Sequence, residues 1–553
     1  MSQMLKSSGA MGAATLASRV LGMVREILYA RFMGAGPVAG AFTMAFMIPN
    51  LFRRLLGEGA LTAAFIPIFK EKQITAGEAE MWRSANAVIS GLIIAASAII
   101  GLVLIAISVV LALDTPVTQV SANPLEIATG TSAQFGLART GWLSGDTRLM
   151  LQLLQVMFPY MLLVCVAAIF MGMLNARGHF FVPAMGTTVL NIIMISAVLW
   201  LAPQFGQKLE TQIFGLAIGV LVAGVAQALY LVPTLRREGF HYQWVPPWGN
   251  ETVQEVVRKM VPGMMGVAAF QFNVLFNNSI AFALDPQIVA SFGYAVRLME
   301  LPQGVFGVSL ATFLLPTLAG LAAEKKFTEF RATLGQALGY LALGNLIASV
   351  LLTVLAQPIV RLLFERGEFD VIDTQRSSFA LACLAPGLIA FSMVNILARA
   401  FYALGDTKTP MKISTVCLIL NVVLTFWLIV PFAEGGLGIA NTLSAGCNVW
   451  LLFYALRRKL RHLDLAKLKR EMLGMTGAAI VAGEVAWLVN SAWERSIGHA
   501  SLMEKLAAVF LPLGVASLVY GLILLWLKVP QAQDFFQLLR QKVKLGKRRD
   551  NSR

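Results

Sequence analysis

Two stretches decide how this chain folds: PYMLLVCVAAIFMGMLNARGHFFVP at 159–183 and PGLIAFSMVNILARAFYALGDTKTP at 386–410. In each, an apolar run opens on a proline (Pro159, Pro386) and reaches a glycine 19 residues later (Gly178, Gly405). A second proline follows after 5 more residues (Pro183, Pro410). Downstream, Gly215-Leu216-Ala217-Ile218 precedes Leu235-Arg236-Arg237, and Gly436-Leu437-Gly438-Ile439 precedes Leu456-Arg457-Arg458, with 20 residues from glycine to leucine in both copies. The offsets are 227 and 221 residues, a difference that one shortened loop absorbs. The order of these matches points to an internal duplication.

Working outward, the whole chain reads the same way. Of 553 residues, 57% are apolar and only 13% charged, against roughly 25% charge in a soluble domain. That excludes disorder, a small disulfide scaffold and an ordinary soluble enzyme. A spanning helix needs about 20 apolar residues, and fourteen such stretches recur between 10–32 and 503–527. The second (38–69) and eighth (288–322) are long and interrupted by Pro49 and Pro302, so each should kink or begin outside the hydrocarbon. The expected fold is an all-α polytopic membrane protein with 14 transmembrane helices. The duplication offset equals six spans, so the copies share one orientation: two parallel six-helix repeats plus two C-terminal helices. The expected division is 1–237, 238–458, transmembrane helices 13 and 14 over 459–530, and a basic cytoplasmic tail at 531–553. Two such halves can rock about a central cavity, which is alternating access.

The charge of +15 fits this reading. With a cytoplasmic N-terminus, 29 lysines and arginines fall on the cytoplasmic side, 8 on the other and 7 within or at the ends of spans. That asymmetry is the positive-inside pattern, and both termini are expected in the cytoplasm. The first apolar run has no convincing cleavage signal and reads as a retained span. The tail RQKVKLGKRRDNSR is expected to attract anionic lipid; a nucleic-acid arm is disfavoured. The 114–147 connection, rich in Ser, Thr and Gly, reads as a mobile flap. Cys165, Cys383, Cys417 and Cys447 all lie in apolar runs as free thiols, and the four histidines show neither metal-ligand spacing nor a catalytic constellation.

Charge inside a span is costly unless it faces protein or water. Arg19 and Arg25 lie in the first span, Arg53 and Arg54 in the second, Arg297 and Glu300 in the eighth. Arg19 and Arg25 are six residues apart, about 240° around a straight helix, so one narrow face cannot hold both unless the helix bends. Internal pairing and snorkelling satisfy one or two of these arginines. Four together point to a water-filled cavity selecting an anion, because a guanidinium fork suits phosphate oxygens. Asn191, Asn273, Asn277, Asn278, Asn395, Asn421, Asn441 and Asn448 are expected to bond between helices. Some of them can supply an oxygen-lined sodium site, and the sequence does not choose which.

Five further runs complete the picture: SRVLGMVRE (18–26), IPNLFRRLLGEGALTAAFIP (48–67), FPYMLLVCVAAIFMGMLNARGHFFVPA (158–184), RLMELPQGVFGVSLATFLLP (297–316) and GDTKTPMKI (405–413). Through them the chain resembles, over essentially its whole length, the bacterial lipid II flippases of the MurJ family, within the multidrug/oligosaccharidyl-lipid/polysaccharide exporter superfamily. The resemblance implies a non-enzymatic transporter in the inner membrane. Its expected cargo is the undecaprenyl-diphosphate-linked peptidoglycan precursor, carried from inner to outer leaflet. It further implies that Arg19, Arg25, Arg53 and Arg297 surround the diphosphate, with Arg54 beside them and Glu300 as acidic partner, and that spans 13 and 14 form a groove for the lipid tail. Two positions often acidic in relatives are Gly40 and Val296 here, which weakens any gating scheme built on those carboxylates. No cofactor is expected; coupling to sodium or to the membrane potential is left open, with no site assigned. The expected partners are lipid II, membrane phospholipids and cell-wall synthesis proteins, with no nucleic acid, and the chain is expected to work as a monomer. The alternative is a flippase for another polyprenyl-diphosphate-linked saccharide.

Overall fold

A computed structural model describes residues 2–55, 60–114, 142–304, 309–460 and 465–537. Among them the chain is helical throughout. In order come α1 (Ser2–Met33), α2 (Pro37–Phe52), α3 (Ala60–Thr75), α4 (Gly77–Leu113), α5 (Gly145–Met157), α6 (Tyr160–Ala176), α7 (Phe181–Ser196), α8 (Leu209–Arg237) and α9 (Glu251–Leu284). Then follow α10 (Pro286–Pro302), α11 (Ser309–Ala323), α12 (Phe327–Val354), α13 (Ala356–Phe364), α14 (Val371–Leu384), α15 (Leu388–Ala403), α16 (Lys408–Leu460), α17 (Leu465–Ser496) and α18 (Leu502–Trp526). Most of the 114–147 connection, Glu58 with its flanking Gly57 and Gly59, and the basic end of the tail lie outside the described residues.

Helix length and hydropathy identify nine candidate membrane spans among the described residues, or ten if α5 and α6, bent by 43°, count as one. The protein is therefore an all-α polytopic membrane protein. The count falls below the fourteen apolar stretches for physical reasons. Arginines at 19, 25 and 31 dilute the apolar character of α1. The long second and eighth stretches are each broken into two short helices, α2–α3 and α10–α11, as Pro49 and Pro302 suggested. The turns at 53–55 and 303–304 are widened, which is how a helix accommodates a local break.

The 53 residues of α16 are not one rod. Ala433 leaves helical geometry at φ 46°. Across it, Asn448 pairs with Ser414, Ser444 with the Cys417 carbonyl and Asn421 with Asn441. As one partner advances the other retreats, so the two arms run antiparallel. Gly436 permits the reversal, because a Cβ there would sit 2.2 Å from the Leu428 carbonyl oxygen.

Contacts divide the chain into two compact units: Met1–Leu28 with Pro37–Gln271, and Tyr29–Gly36 with Phe272–Arg553. The core of the first unit gathers Phe65, Phe69, Met81, Ile89, Phe170 and Met173 from α3, α4 and α6. In the second unit, one core joins α11, α12, α15 and α16 through residues such as Leu318, Phe330, Ile396 and Leu456. Another joins α12 to α17 and α18 through the small residues Ala478, Ala479 and Ala482. Small residues let membrane helices approach closely; a Cβ on Gly483 of α17 would lie 2.3 Å from Val350 of α12. The turn after α1 belongs to the second unit, where the Gly34 carbonyl accepts from the Tyr294 hydroxyl (3.0 Å) and the Ala35 amide donates to Asp373 (2.8 Å).

Candidate functional site

The first unit carries four of the six expected site residues. On α1, Ser18 donates to Thr187 and Arg25 donates to Asn191, both on α7, at 2.8 and 3.0 Å. Asn191 in turn donates to the Ser18 carbonyl (3.1 Å). Gly22, a turn from each of them, faces Asn191 at van der Waals distance. Asn191 therefore works as the interhelical partner expected of it, and it orients a guanidinium that also contacts Glu26 at 2.5 Å. The Arg25 side chain is only 16% exposed. A cation in that setting is held by its partners, since desolvation alone would cost several kcal/mol. Arg19 is exposed.

Arg53 and Arg54 stand on the widened turn that ends α2. Arg53 Nε donates to Asn50 Oδ1 (2.6 Å), and Arg54 lies at the limit of bonding, 3.5 Å, from Gln271 Oε1. Tyr160, at the start of α6 in the same unit, is buried. Asn50, Tyr160 and Gln271 were not singled out from sequence. Asn50, three residues before Arg53, carried a signal, because residues at that spacing are neighbours on a helix. Nothing local pointed to the other two.

The second unit carries Arg297 and Glu300. They pair along α10 at 3.0 Å and are 43% and 47% exposed, so they present charge to the surroundings. Elsewhere in this unit Asn273 bonds to the Leu418 carbonyl, Asn277 to Asn421 (2.6 Å), and Asn421 towards Asn441 across the two arms of α16, as expected, whereas Asn278 and Asn395 donate to the Val274 and Phe391 carbonyls of their own helices. Among the described residues no group of three His, Cys, Asp or Glu side chains is arranged to hold a metal. Glu484, in α17, is exposed.

Ion pairs tie helix ends in both units. In the first, Glu238 after α8 accepts from Arg177 (2.7 Å) and contacts His179 (2.7 Å), while Arg177 also reaches Glu78 (2.8 Å). Bonds from His179 and then Arg177 hold the Glu238 carboxyl below its ordinary pKa. In the second, Lys459 donates to Asp406 (2.6 Å), whose other oxygen accepts from the Thr409 amide at the start of α16. The Lys459 bond, followed by that of Thr409, lowers the Asp406 pKa to about 2.

Long apolar helices, with arginines carried on and between them, define an all-α polytopic membrane protein. Comparison with known proteins narrows the class. A family profile described as "Lipid II flippase MurJ" matches residues 29–508. A probable lipid II flippase MurJ of Haemophilus influenzae is 32% identical over 532 residues, covering 93% of this chain and 98% of its own length. The lipid II flippase MurJ of Burkholderia cenocepacia is 31% identical over 526 residues, covering 92% and 95%. A solved structure described as lipid II flippase MurJ in an inward closed conformation superposes with a TM-score of 0.74 at 20% identity, covering 94% of this chain and 99% of that one. The chain belongs to the MurJ family.

Proposed function

We propose that this protein flips lipid II from the inner to the outer leaflet of the bacterial inner membrane, without covalent chemistry. The observation carrying the reading is family membership over most of the chain: the profile matches residues 29–508 and a relative aligns with 93% of this chain. We assign diphosphate recognition to Arg19, Arg25, Arg53 and Arg54 of the first unit, and to Arg297, partnered by Glu300, of the second. Arg25 and Arg53 are the strongest members: each is oriented by an asparagine, so little side-chain freedom remains to be lost when an anion arrives. A guanidinium offers two parallel donors to phosphate oxygens.

The architecture proposed for this function has fourteen spans in two parallel six-helix repeats, followed by α17 and α18. Three features support it. α2–α3 and α10–α11 both start on proline and both break at a widened turn. α6 and α15, the two stretches that opened the sequence reading, both end on a left-handed glycine, Gly178 at φ +91° and Gly405 at φ +73°. Finally, α16 reverses into two arms, which match α7 and α8. The 29-to-8 basic asymmetry favours cytoplasmic termini. Spans 13 and 14 are assigned to the lipid tail, the working form is a monomer, and the movement is alternating access.

The decisive test is to deplete the protein in a strain lacking any redundant flippase and measure lipid II accessible on the outer leaflet. Loss of exposure is expected. Unchanged exposure rejects the assignment.

A further inference from the structure

The connection between α8 and α9 carries none of the residues assigned to the cargo, and its chemistry is distinctive. From Phe240 to Pro247 the chain is irregular, yet α4 pins it along its length. Phe240 is buried against Trp82 and Phe170. Asn86 donates to the His241 carbonyl (3.0 Å), Ser90 bonds the Tyr242 hydroxyl (3.2 Å), and Pro247 packs where Gly91 leaves space. Beyond it, Ser84 meets Thr252 at the start of α9 (3.3 Å). A backbone fixed this way would normally bury its large side chains. Instead Tyr242, Trp244 and Trp248 are 47%, 56% and 70% exposed.

Depth along α4 explains the exception. Its first two turns carry Glu78, Glu80 and Arg83, whereas the 23 residues from Gly91 to Leu113 contain no charge. At 1.5 Å per residue that run is ~34 Å long, about one hydrocarbon thickness. The strap crosses α4 at residues 86–91, at the boundary between hydrocarbon and headgroups. Indole and phenol rings concentrate at that level, with an apolar body and a polar edge. Exposed Arg236 and Arg237 precede the strap, and exposed Arg258 follows it two turns into α9, beside Lys259, which pairs with Glu255 (2.7 Å).

We infer that the strap 239–250 is a docking surface for anionic phospholipid of the cytoplasmic leaflet. The aromatic rings seat in the headgroup layer, and the flanking cations select a phosphodiester headgroup without a compensating positive charge. Basic residues near an anionic leaflet attract it electrostatically. The occupant is bulk lipid, not the cargo; the inference rests on the cytoplasmic placement of the α8 end and not on what the protein transports.

The test uses the full chain in nanodiscs that contain no lipid II. Trp244→Phe/Trp248→Phe is compared with the parent, so that the difference in tryptophan emission reports those two rings. The lipid is phosphatidylglycerol or phosphatidylcholine brominated high on the acyl chain. Bromolipid is expected to quench the difference signal while aqueous iodide does not, with phosphatidylglycerol the better quencher in mixed discs. Arg236→Gln/Arg237→Gln should cut that preference about tenfold and leave quenching in pure bromolipid intact. Both variants change exposed side chains that the α4 contacts do not use, so folding should be preserved. Quenching by iodide with none by bromolipid would overturn the inference, as would equal quenching by the two lipids in mixed discs. Loss of cargo flipping plays no part in these readouts, so the strap can fail while the transport assignment stands.

Discussion

The turn after α6 and the turn after α15 share a backbone but place their carboxylate at opposite ends of the contact. Both pass through a left-handed glycine, and both close with an amide reaching back five residues: His179 to the Leu174 carbonyl and Asp406 to the Phe401 carbonyl, each at 2.9 Å. In the first unit the residue after the glycine is His179, and its partner is the carboxylate Glu238. In the second it is the carboxylate Asp406, and its partner is the cation Lys459. His179 and Asp406 are separated by 227 residues, Glu238 and Lys459 by 221, the offsets of the duplicated stretches. A helix-end clasp needs a carboxylate facing a donor and is indifferent to which of the two points carries the carboxylate. The arginines differ in the same spirit: Arg25 is enclosed by partners in its unit, while Arg297 stands half exposed in the other.

The largest effects should separate those two arginines. Arg25→Ala is expected to reduce flipping by at least a hundredfold in reconstituted vesicles. It should also lower the melting temperature, because Asn191 Oδ1 loses its donor and α1 loses one of its ties to α7. Arg297→Ala should reduce flipping strongly with little change in melting, since an exposed i,i+3 pair contributes little to stability. Lysine at either position should recover only part of the activity, lacking the planar fork. Wild-type flipping by both alanine variants would end the shared-anion reading.

Charge exchange tests the clasps. Glu238→Lys or Lys459→Asp alone should destabilise by about 1–3 kcal/mol, leaving like charges face to face. The double exchange Asp406→Lys/Lys459→Asp should restore most of this. It should fall short by about 1 kcal/mol because Asp406 also caps α16 through Thr409. In the first unit His179→Asp/Glu238→Lys should recover less, because Arg177 also bonds Glu238 and would then face a lysine. Equal recovery in both units, measured by chemical denaturation in detergent, would remove the asymmetry.

Acid should weaken both clasps. Glu238 and Asp406 have pKa values lowered in the folded protein by their cationic partners. A lowered carboxylate pKa contributes stability that is complete above the unfolded value and disappears as pH falls through the folded one. For Asp406 the loss should therefore run from about 4, the unfolded value, down to about 2. Between pH 7 and 5 neither carboxylate should affect melting. Asp406→Asn should flatten the part of the acid limb that belongs to it, and an unchanged limb would show that the pair adds nothing.

Much of this was legible from residues, and what was not has a common cause. The second and eighth stretches were expected to be interrupted, and each is divided into two helices; the second divides past Phe52, with Pro49 itself inside α2, and the eighth divides at Pro302. The two arms of α16 correspond to two separate apolar runs, 409–430 and 436–456. Asn191 was expected to bond between helices, and it does. The partner of Arg25 was nevertheless invisible, because the two lie 166 residues apart and share no period. The clasps were missed for a similar reason: a comparison of residue identities finds Gly178 and Gly405 but passes over a pair whose signs are exchanged. The short helix α13 was also missed, since nine residues containing Pro358 and Arg361 are too few and too mixed to register as a span. The placement of the Tyr29–Gly36 turn in the second unit depends on Asp373 and Tyr294, some 260 to 340 residues away.

The smallest effect is expected at the connection between α4 and α5. Its ends are already joined. The Leu143 amide donates to Asp114 Oδ1 (3.1 Å), and Arg148 donates to the Asp114 carbonyl oxygen (2.8 Å) and to its carboxylate (3.3 Å). Asp114 is 2% exposed, and Ser144 caps α5 through the Thr147 amide. With the base closed by these bonds, the intervening residues need not hold α4 against α5. Loop-closure entropy also depends only weakly on length, about 0.6 kcal/mol per doubling. Replacing 116–141 by a short Gly-Ser linker should therefore leave membrane insertion and flipping within twofold of the parent. Asp114→Ala in the otherwise intact chain should cost more, because it strands the Arg148 guanidinium and the Leu143 amide together. Limited proteolysis and vesicle flipping of the two variants, measured side by side, decide the point: if the deletion is the more damaging, the connection has a function of its own that its closed base does not explain.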